Sequence, residues 1–226
     1  MAKLQWDVTG EREIESGISK VVLFPMTDGV YGAGVAWSGV TGLSENPSGA
    51  DVTDLYADNI KYASLRAAEN FGFTIEAYTY PDEWGECDGS AKPVAGVYLG
   101  QQPRKAFGLC YRTEVGSDSN PGMDKGYKLH IVYNSTASPS GRSYATINNS
   151  PDAITFSWEG NSTPVNATGF KPVCLITIDS TTVDKTKLTT LEGMLYGGDS
   201  SESTLPDPDT VLSTLGYTAP NPANPG

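Results

Sequence analysis

The stretch that decides the fold runs from Phe107 to Asn134, FGLCYRTEVGSDSNPGMDKGYKLHIVYN. Phe107, Leu109, Tyr111, Thr113 and Val115 alternate with Gly108, Cys110, Arg112 and Glu114. Tyr127, Leu129, Ile131 and Tyr133 then alternate with Lys128, His130, Val132 and Asn134. A period of two sets alternate side chains on opposite faces of an extended chain, which is the signature of a strand. Between the two runs lies GSDSNPGMDKG (Gly116–Gly126), dense in turn formers. Two alternating runs around such a connector predict a β-hairpin with an extended loop.

Working outward, the same signal recurs. Phe71, Phe73, Ile75 and Ala77 alternate with Gly72, Thr74, Glu76 and Tyr78. Ile18–Phe24 (ISKVVLF) is apolar on both faces and is stopped by Pro25, and Val35–Val40 follows a glycine-punctuated turn. Ile154, Phe156 and Trp158 predict one more strand, and Val173–Ile178 (VCLITI) predicts a strand central in a sheet. Helical spacing enters late, with Leu188, Leu191, Met194 and Leu195 before Gly197 and Gly198. A second short helical turn is expected over Asp209–Leu215, capped by Asp207 or Asp209. The expected fold is therefore mainly β, a two-sheet β-sandwich or open barrel with one flanking α-helix. No repeat or internal boundary divides the chain. Residues 1–218 read as one domain, and APNPANPG (Ala219–Gly226) reads as a mobile Pro-rich tail.

One connection stands apart. LSENPSGADVTDLYADNIKY (Leu43–Tyr62) reads as a long polar loop, yet it carries Leu43, Val52, Leu55 and Tyr56. Connections of such length in a compact domain tend to be functional or disordered. Apolar anchors on a protruding loop are accounted for by a neighbouring subunit, so these four residues are the candidate inter-subunit contacts.

Composition narrows the function. The chain has 226 residues with a net charge of −12, and residues 1–60 alone hold nine acids against three bases. Such acidity argues against binding nucleic acid by phosphate neutralisation. No apolar run approaches bilayer-spanning length, and the N-terminus has no secretory apolar region, so no membrane role is expected. Cys87, Cys110 and Cys174 are odd in number and widely spaced, and read as free thiols of a reducing compartment. His130 is the only histidine and lies mid-strand, which predicts a hydrogen-bonded structural role rather than a catalytic one. PDEWGECDG (Pro81–Gly89) lacks calcium-loop spacing and reads as a solvated acidic turn. No catalytic set, metal site or cofactor cradle emerges, so the chain is not expected to be an enzyme. Its 12 Tyr and 4 Trp leave a carbohydrate-binding or adhesive β-sandwich as the alternative.

Several segments taken in order carry a family resemblance: SGISKVVLFP (Ser16–Pro25), LYADNIKYASL (Leu55–Leu65), TIEAYTYPDEW (Thr74–Trp84) and GLCYRTEVGSD (Gly108–Asp118). GYKLHIVYN (Gly126–Asn134), SPDAITFSWEGNSTPV (Ser150–Val165) and LTTLEGMLYG (Leu188–Gly197) continue it. In this order the chain resembles the major tail proteins, which build the tail tube of long-tailed bacteriophages. The resemblance implies two packed β-sheets with a flanking helix, and assembly into hexameric rings whose strands form a continuous barrel around a lumen. It implies long loops that tie stacked rings together, and synthesis in the host bacterial cytoplasm before incorporation into the virion tail. Implied partners are further copies of itself, the tape-measure, distal-tail and tail-terminator proteins, and DNA that passes through the lumen without specific binding. Acids on a lumen wall repel phosphate and keep DNA sliding. Glu76 and Glu114, on the polar phases of their strands, are the candidate lumen acids.

Overall fold

The computed structural model describes residues 3–118, 125–147, 153–199 and 201–218. The expected tail, residues 219–226, and the tip of the long hairpin lie outside them. The chain begins with β1 (Glu13–Thr27), the short β2 (Val30–Tyr31) and β3 (Val35–Ala36), then β4 (Val40–Gly49). Next come β5 (Val52–Ala57), β6 (Ile60–Arg66), β7 (Glu69–Ala77) and a single helical turn, α1 (Trp84–Cys87). The middle holds β8 (Ala91–Val94), β9 (Val97–Leu99), β10 (Phe107–Ser117) and β11 (Gly126–Ala137). It ends with β12 (Phe156–Ser162), β13 (Leu175–Asp179), α2 (Lys185–Tyr196) and α3 (Pro208–Thr214).

The hairpin read from alternation forms as β10–β11, with Tyr111 opposite His130 and Leu109 opposite Val132. It is the centre of one antiparallel sheet in the order β2-β1-β10-β11-β12-β7-β4, with β13 added to β11 and β3 to β1. The two packed sheets of the expectation are one sheet curled on itself. A single core receives side chains from both ends of that sheet: Val21 and Leu23 from β1, Leu109 from β10, Trp158 from β12, Phe73 and Ile75 from β7, with Leu43 of β4 packed against it. Phe73 and Phe107, on strands well apart in the sheet order, meet edge to face at 6.3 Å. α1 closes the curl by inserting Trp84, which lies 4.7 Å from Trp37 and 5.5 Å from Trp158 between ring centroids. PDEWGECDG is thus not merely a solvated turn, because Trp84 and Cys87 inside it are fully buried.

Close packing makes small residues necessary here. A Cβ on Gly160 of β12 would fall 2.4 Å from Phe73 Cζ. Gly160→Ala is expected to displace that ring and destabilise the fold by about 1–3 kcal/mol. Chemical denaturation of the variant checks it.

The opposite face of β1, β10 and β11 builds a second core. Val22, Phe24, Cys110, Leu129, Ile131 and Ile178 pack there against Leu188, Leu191 and Leu195 of α2 and Val211 of α3. Two helices, not one, therefore flank the sheet. Asp184 caps α2 by accepting from the Thr186 and Lys187 backbone N–H groups at 3.0 Å, and Gly197 ends it at φ 74°. Asp207 caps α3, whose first residue is Pro208. Met194, counted in the apolar stripe, is not among the buried residues of α2. Arg112 ties α2 to the sheet: its guanidinium donates to Tyr196 Oη at 3.1 Å, pairs with Glu192 and lies 3.9 Å from the Tyr127 ring centroid. β13 is an edge strand paired with β11 alone, which corrects its expected central place.

Candidate assembly surfaces

The segment expected to be a loop is an extension of the sheet. β4 runs to Gly49 in register with β7, Leu43 opposite Ile75 and Gly49 opposite Glu69. The chain bends at Gly49 (φ 84°) and Ala50 (φ 57°), and a two-stranded arm, β5–β6, continues outward. The neck is closed by Ala50 N–H donating to Ala68 O at 3.1 Å and Ala67 N–H donating to Asp51 O at 2.9 Å. At the tip, Asp58 (φ 48°) and Asn59 (φ 63°) are both left-handed, which is the backbone of a type I′ hairpin turn.

Cross-strand partners share a face, so the register sorts the arm's side chains. Thr53 lies opposite Leu65, Leu55 opposite Ala63 and Ala57 opposite Ile60, which gives one face without a charge. Val52 lies opposite Arg66, Asp54 opposite Ser64 and Tyr56 opposite Lys61 on the other. Lys61 Nζ reaches Asp54 Oδ1 at 2.8 Å and Ser64 Oγ donates to Asp54 at 2.6 Å, so this face satisfies its polar groups within the arm. The sequence-derived anchors therefore divide. Leu55 is on the apolar face, Val52 and Tyr56 are on the polar one, and all three are exposed. Leu43 does not belong with them: it is half-buried against the core, because it lies on β4, which runs on well past the expected strand end at Val40. Ile60 and Leu65, 65% and 57% exposed, complete the apolar face and were missed. The turn-forming pair Asp58-Asn59 between two β-rich hexads was the available signal.

A second ribbon, β8–β9, has the same character. Ala91 pairs with Leu99 and Val94 with Val97 around the turn at Ala95-Gly96. Its other side is fixed to the body, since Tyr98 Oη donates to Asp82 Oδ1 at 3.0 Å and Lys92 pairs with the same carboxylate. Val94, Val97 and Leu99 are 61%, 45% and 50% exposed. The apolar side of this ribbon thus faces water.

The candidate lumen acids are placed on different parts of the sheet. Glu76 of β7 is exposed, opposite Gly42 of β4 and Ser157 of β12. Residues in the same phase are Ser44 and Asn46 of β4, Thr74 of β7, and Glu159 and Asn161 of β12, a polar face that no helix covers. Two acids and no base stand among these. Glu159 went unread in the sequence, although its alternation with Trp158 places it. Glu114 is not beside Glu76: it is half-buried on β10, where its carboxylate accepts from Ser19 Oγ at 2.9 Å.

His130 stacks on Tyr111 at 4.6 Å between ring centroids, and its ring nitrogens lie 3.0 Å from Thr113 Oγ1 and 3.3 Å from Thr177 Oγ1. Burial holds its pKa below the ordinary 6.5, although Glu45 and Glu15 stand 3.8 Å away and favour the charged form. The unfolded chain then takes up this proton at higher pH than the folded one. Its contribution to stability is complete above about pH 6.5 and is lost as pH falls from there through the lower folded value. The melting temperature is expected to drop over this range in the wild type and to drop less in His130→Asn, as scanning fluorimetry across pH reads directly.

Burial pushes the thiols of Cys87 and Cys110 up to about 12, which leaves them protonated and inert. Among the described residues, no group of three or more His, Cys, Asp or Glu is arranged to hold a metal, and no helix is long and apolar enough to cross a membrane. Trp37, Trp84 and Trp158 are consumed by the core and only Trp6 is exposed, so the tryptophans do not form a shared sugar-stacking platform. No protein-family model matches the chain, and no curated protein matches it.

Proposed function

We propose that this chain is a structural protein of a phage virion, polymerising as stacked hexameric rings into a tail tube through which DNA is ejected. The observation that carries this reading is the arm. It is a formed hairpin with a closed neck, and the leucines and isoleucine of its uncharged face are exposed. A monomeric protein has little reason to hold such a surface in water, whereas a subunit covers it on assembly. The curled sheet offers the second support. Its uncovered face across β4, β7 and β12 is polar and bears Glu76 and Glu159 without a neighbouring base, as a conduit wall for a polyanion requires. The order of segments shared with major tail proteins is the third. In this reading the partners are further copies of the chain, with tape-measure, distal-tail and tail-terminator proteins at the ends of the tube.

Negative-stain electron microscopy of the concentrated protein across a range of salt tests the proposal. Hollow tubes or sixfold rings about 100 Å across, the size expected for six small domains, are the expected result. Glycan binding by a protein that stays monomeric at every concentration overturns it in favour of an adhesive module.

A further inference from the structure

We infer that the β8–β9 ribbon is the socket for the arm of a second copy, with Leu55, Ile60 and Leu65 of one chain packing on Val94, Val97 and Leu99 of the next. This deepens the assembly reading and rests on it. The two surfaces are alike in what they lack. The arm face of Thr53, Leu55, Ala57, Ile60, Ala63 and Leu65 carries no charge, and neither does the ribbon face of Ala91, Val94, Val97 and Leu99. Two copies of a chain with net charge −12 repel each other over most of their surfaces, so uncharged aliphatic patches are where they can approach.

The rims supply sign. Asp58 at the tip of the arm has no ion-pair partner among the described residues, nor does the exposed Arg104 at the foot of the ribbon, while Asp51 and Arg66 at the neck are of opposite sign. The acidic tip of the arm beside a socket flanked by an arginine is a complementary arrangement, which ribbon against ribbon does not offer. Rigidity also favours a socket. Asp82 holds Lys92 and Tyr98 from beneath, so the outward valines are presented on a fixed base. A contact between different patches of identical chains leaves each copy with a free arm and a free socket, and so propagates.

The test uses the full-length chain with Cys174→Ser, which removes the one native thiol that is not fully buried. Ile60→Cys and Val97→Cys are added to separate preparations, each variant is mixed with itself or with the other, and disulfide formation under mild oxidation is read on a non-reducing gel. The mixture is expected to yield at least tenfold more cross-linked dimer than either variant alone. The chain carrying both substitutions is expected to give a ladder of higher multimers. Dimer from the mixture no greater than from the single variants overturns the assignment, whether or not tubes form. Tubes without the cross-link therefore reject the socket and leave the assembly reading standing. A band from the double variant that runs as a cyclised monomer also rejects it, by placing the arm on its own ribbon. Leu55→Asp and Val97→Asp, both at exposed positions, are each expected to abolish the concentration-dependent increase in sedimentation coefficient while circular dichroism stays unchanged.

Discussion

Replacement of residues 52–66 by a glycine pair that joins Asp51 to Ala67 is expected to leave a folded body and to abolish tube formation. The body should survive because the arm contributes nothing to either core: every buried residue of both lies outside it. The join is geometrically mild, since Asp51 and Ala67 are already hydrogen-bonded partners at 2.9 Å, and a glycine pair suffices to turn the chain there. β4 and β7 keep their register up to Gly49 and Glu69. Assembly is lost because the uncharged face of the arm, which reaches beyond the body, has gone. A shorter deletion, of Asp51–Tyr56, strands β6 without its β5 partner and is the less clean version. Thermal denaturation and electron microscopy on one preparation decide the matter. A cooperative transition near that of the wild type, with rings or tubes absent, is the expected pair. Tubes of normal length from the deleted chain refute the role of the arm.

The largest expected loss of stability from one side chain is at Trp158. It is fully buried on β12 and lies within 5.6 Å, between ring centroids, of Trp37, Tyr80, Trp84 and Phe156. It is where the strand from the middle of the sheet, the α1 plug and the segment before β4 meet. Trp158→Ala leaves a void bordered by rigid rings that cannot collapse to fill it, at a cost of about 3–5 kcal/mol. Set against a total stability of about 5–15 kcal/mol for a domain, such a loss leaves the fold marginal. Urea denaturation is expected to show a lowered midpoint at an unchanged slope. A loss below about 1 kcal/mol contradicts the placement of this ring at the centre of the core.

What the sequence disclosed followed from burial. β7, β10 and β11 were legible because each has one face against aromatic and aliphatic side chains, and that asymmetry is written as alternation. α2 was legible for the same reason, through Leu188, Leu191 and Leu195. The arm was not, because both of its faces meet water and nothing obliges one to be apolar throughout: Val52 and Tyr56 sit with charges while Leu55 does not. The strand was read as ending at Val40 because Gly42, Asn46 and Pro47 are poor strand formers, and pairing with β7 overrides that preference. Leu43 was misassigned as a consequence. The curl was hidden for another reason. Whether two faces belong to two sheets or to one depends on which edges pair, and no local pattern records that. The separation of Glu76 from Glu114 has the same origin, since the two have identical phases in their strands but face different neighbours.

The pairing of β1 with β10 sets Glu13 opposite Ser117, and α2 and α3 come from the last quarter of the chain. During synthesis, β1 therefore emerges from the ribosome long before β10 exists, and the helices that roof it follow later still. Although β2 and β3 can pair with it at once, the edge of β1 that faces β10 spends that interval open along the apolar Val21–Phe24, a state prone to indiscriminate association. Its interruptions acquire a meaning in time: left-handed Gly17 and Lys20 break the β1–β10 register twice along this strand, which leaves the waiting edge irregular and hard for another nascent chain to copy.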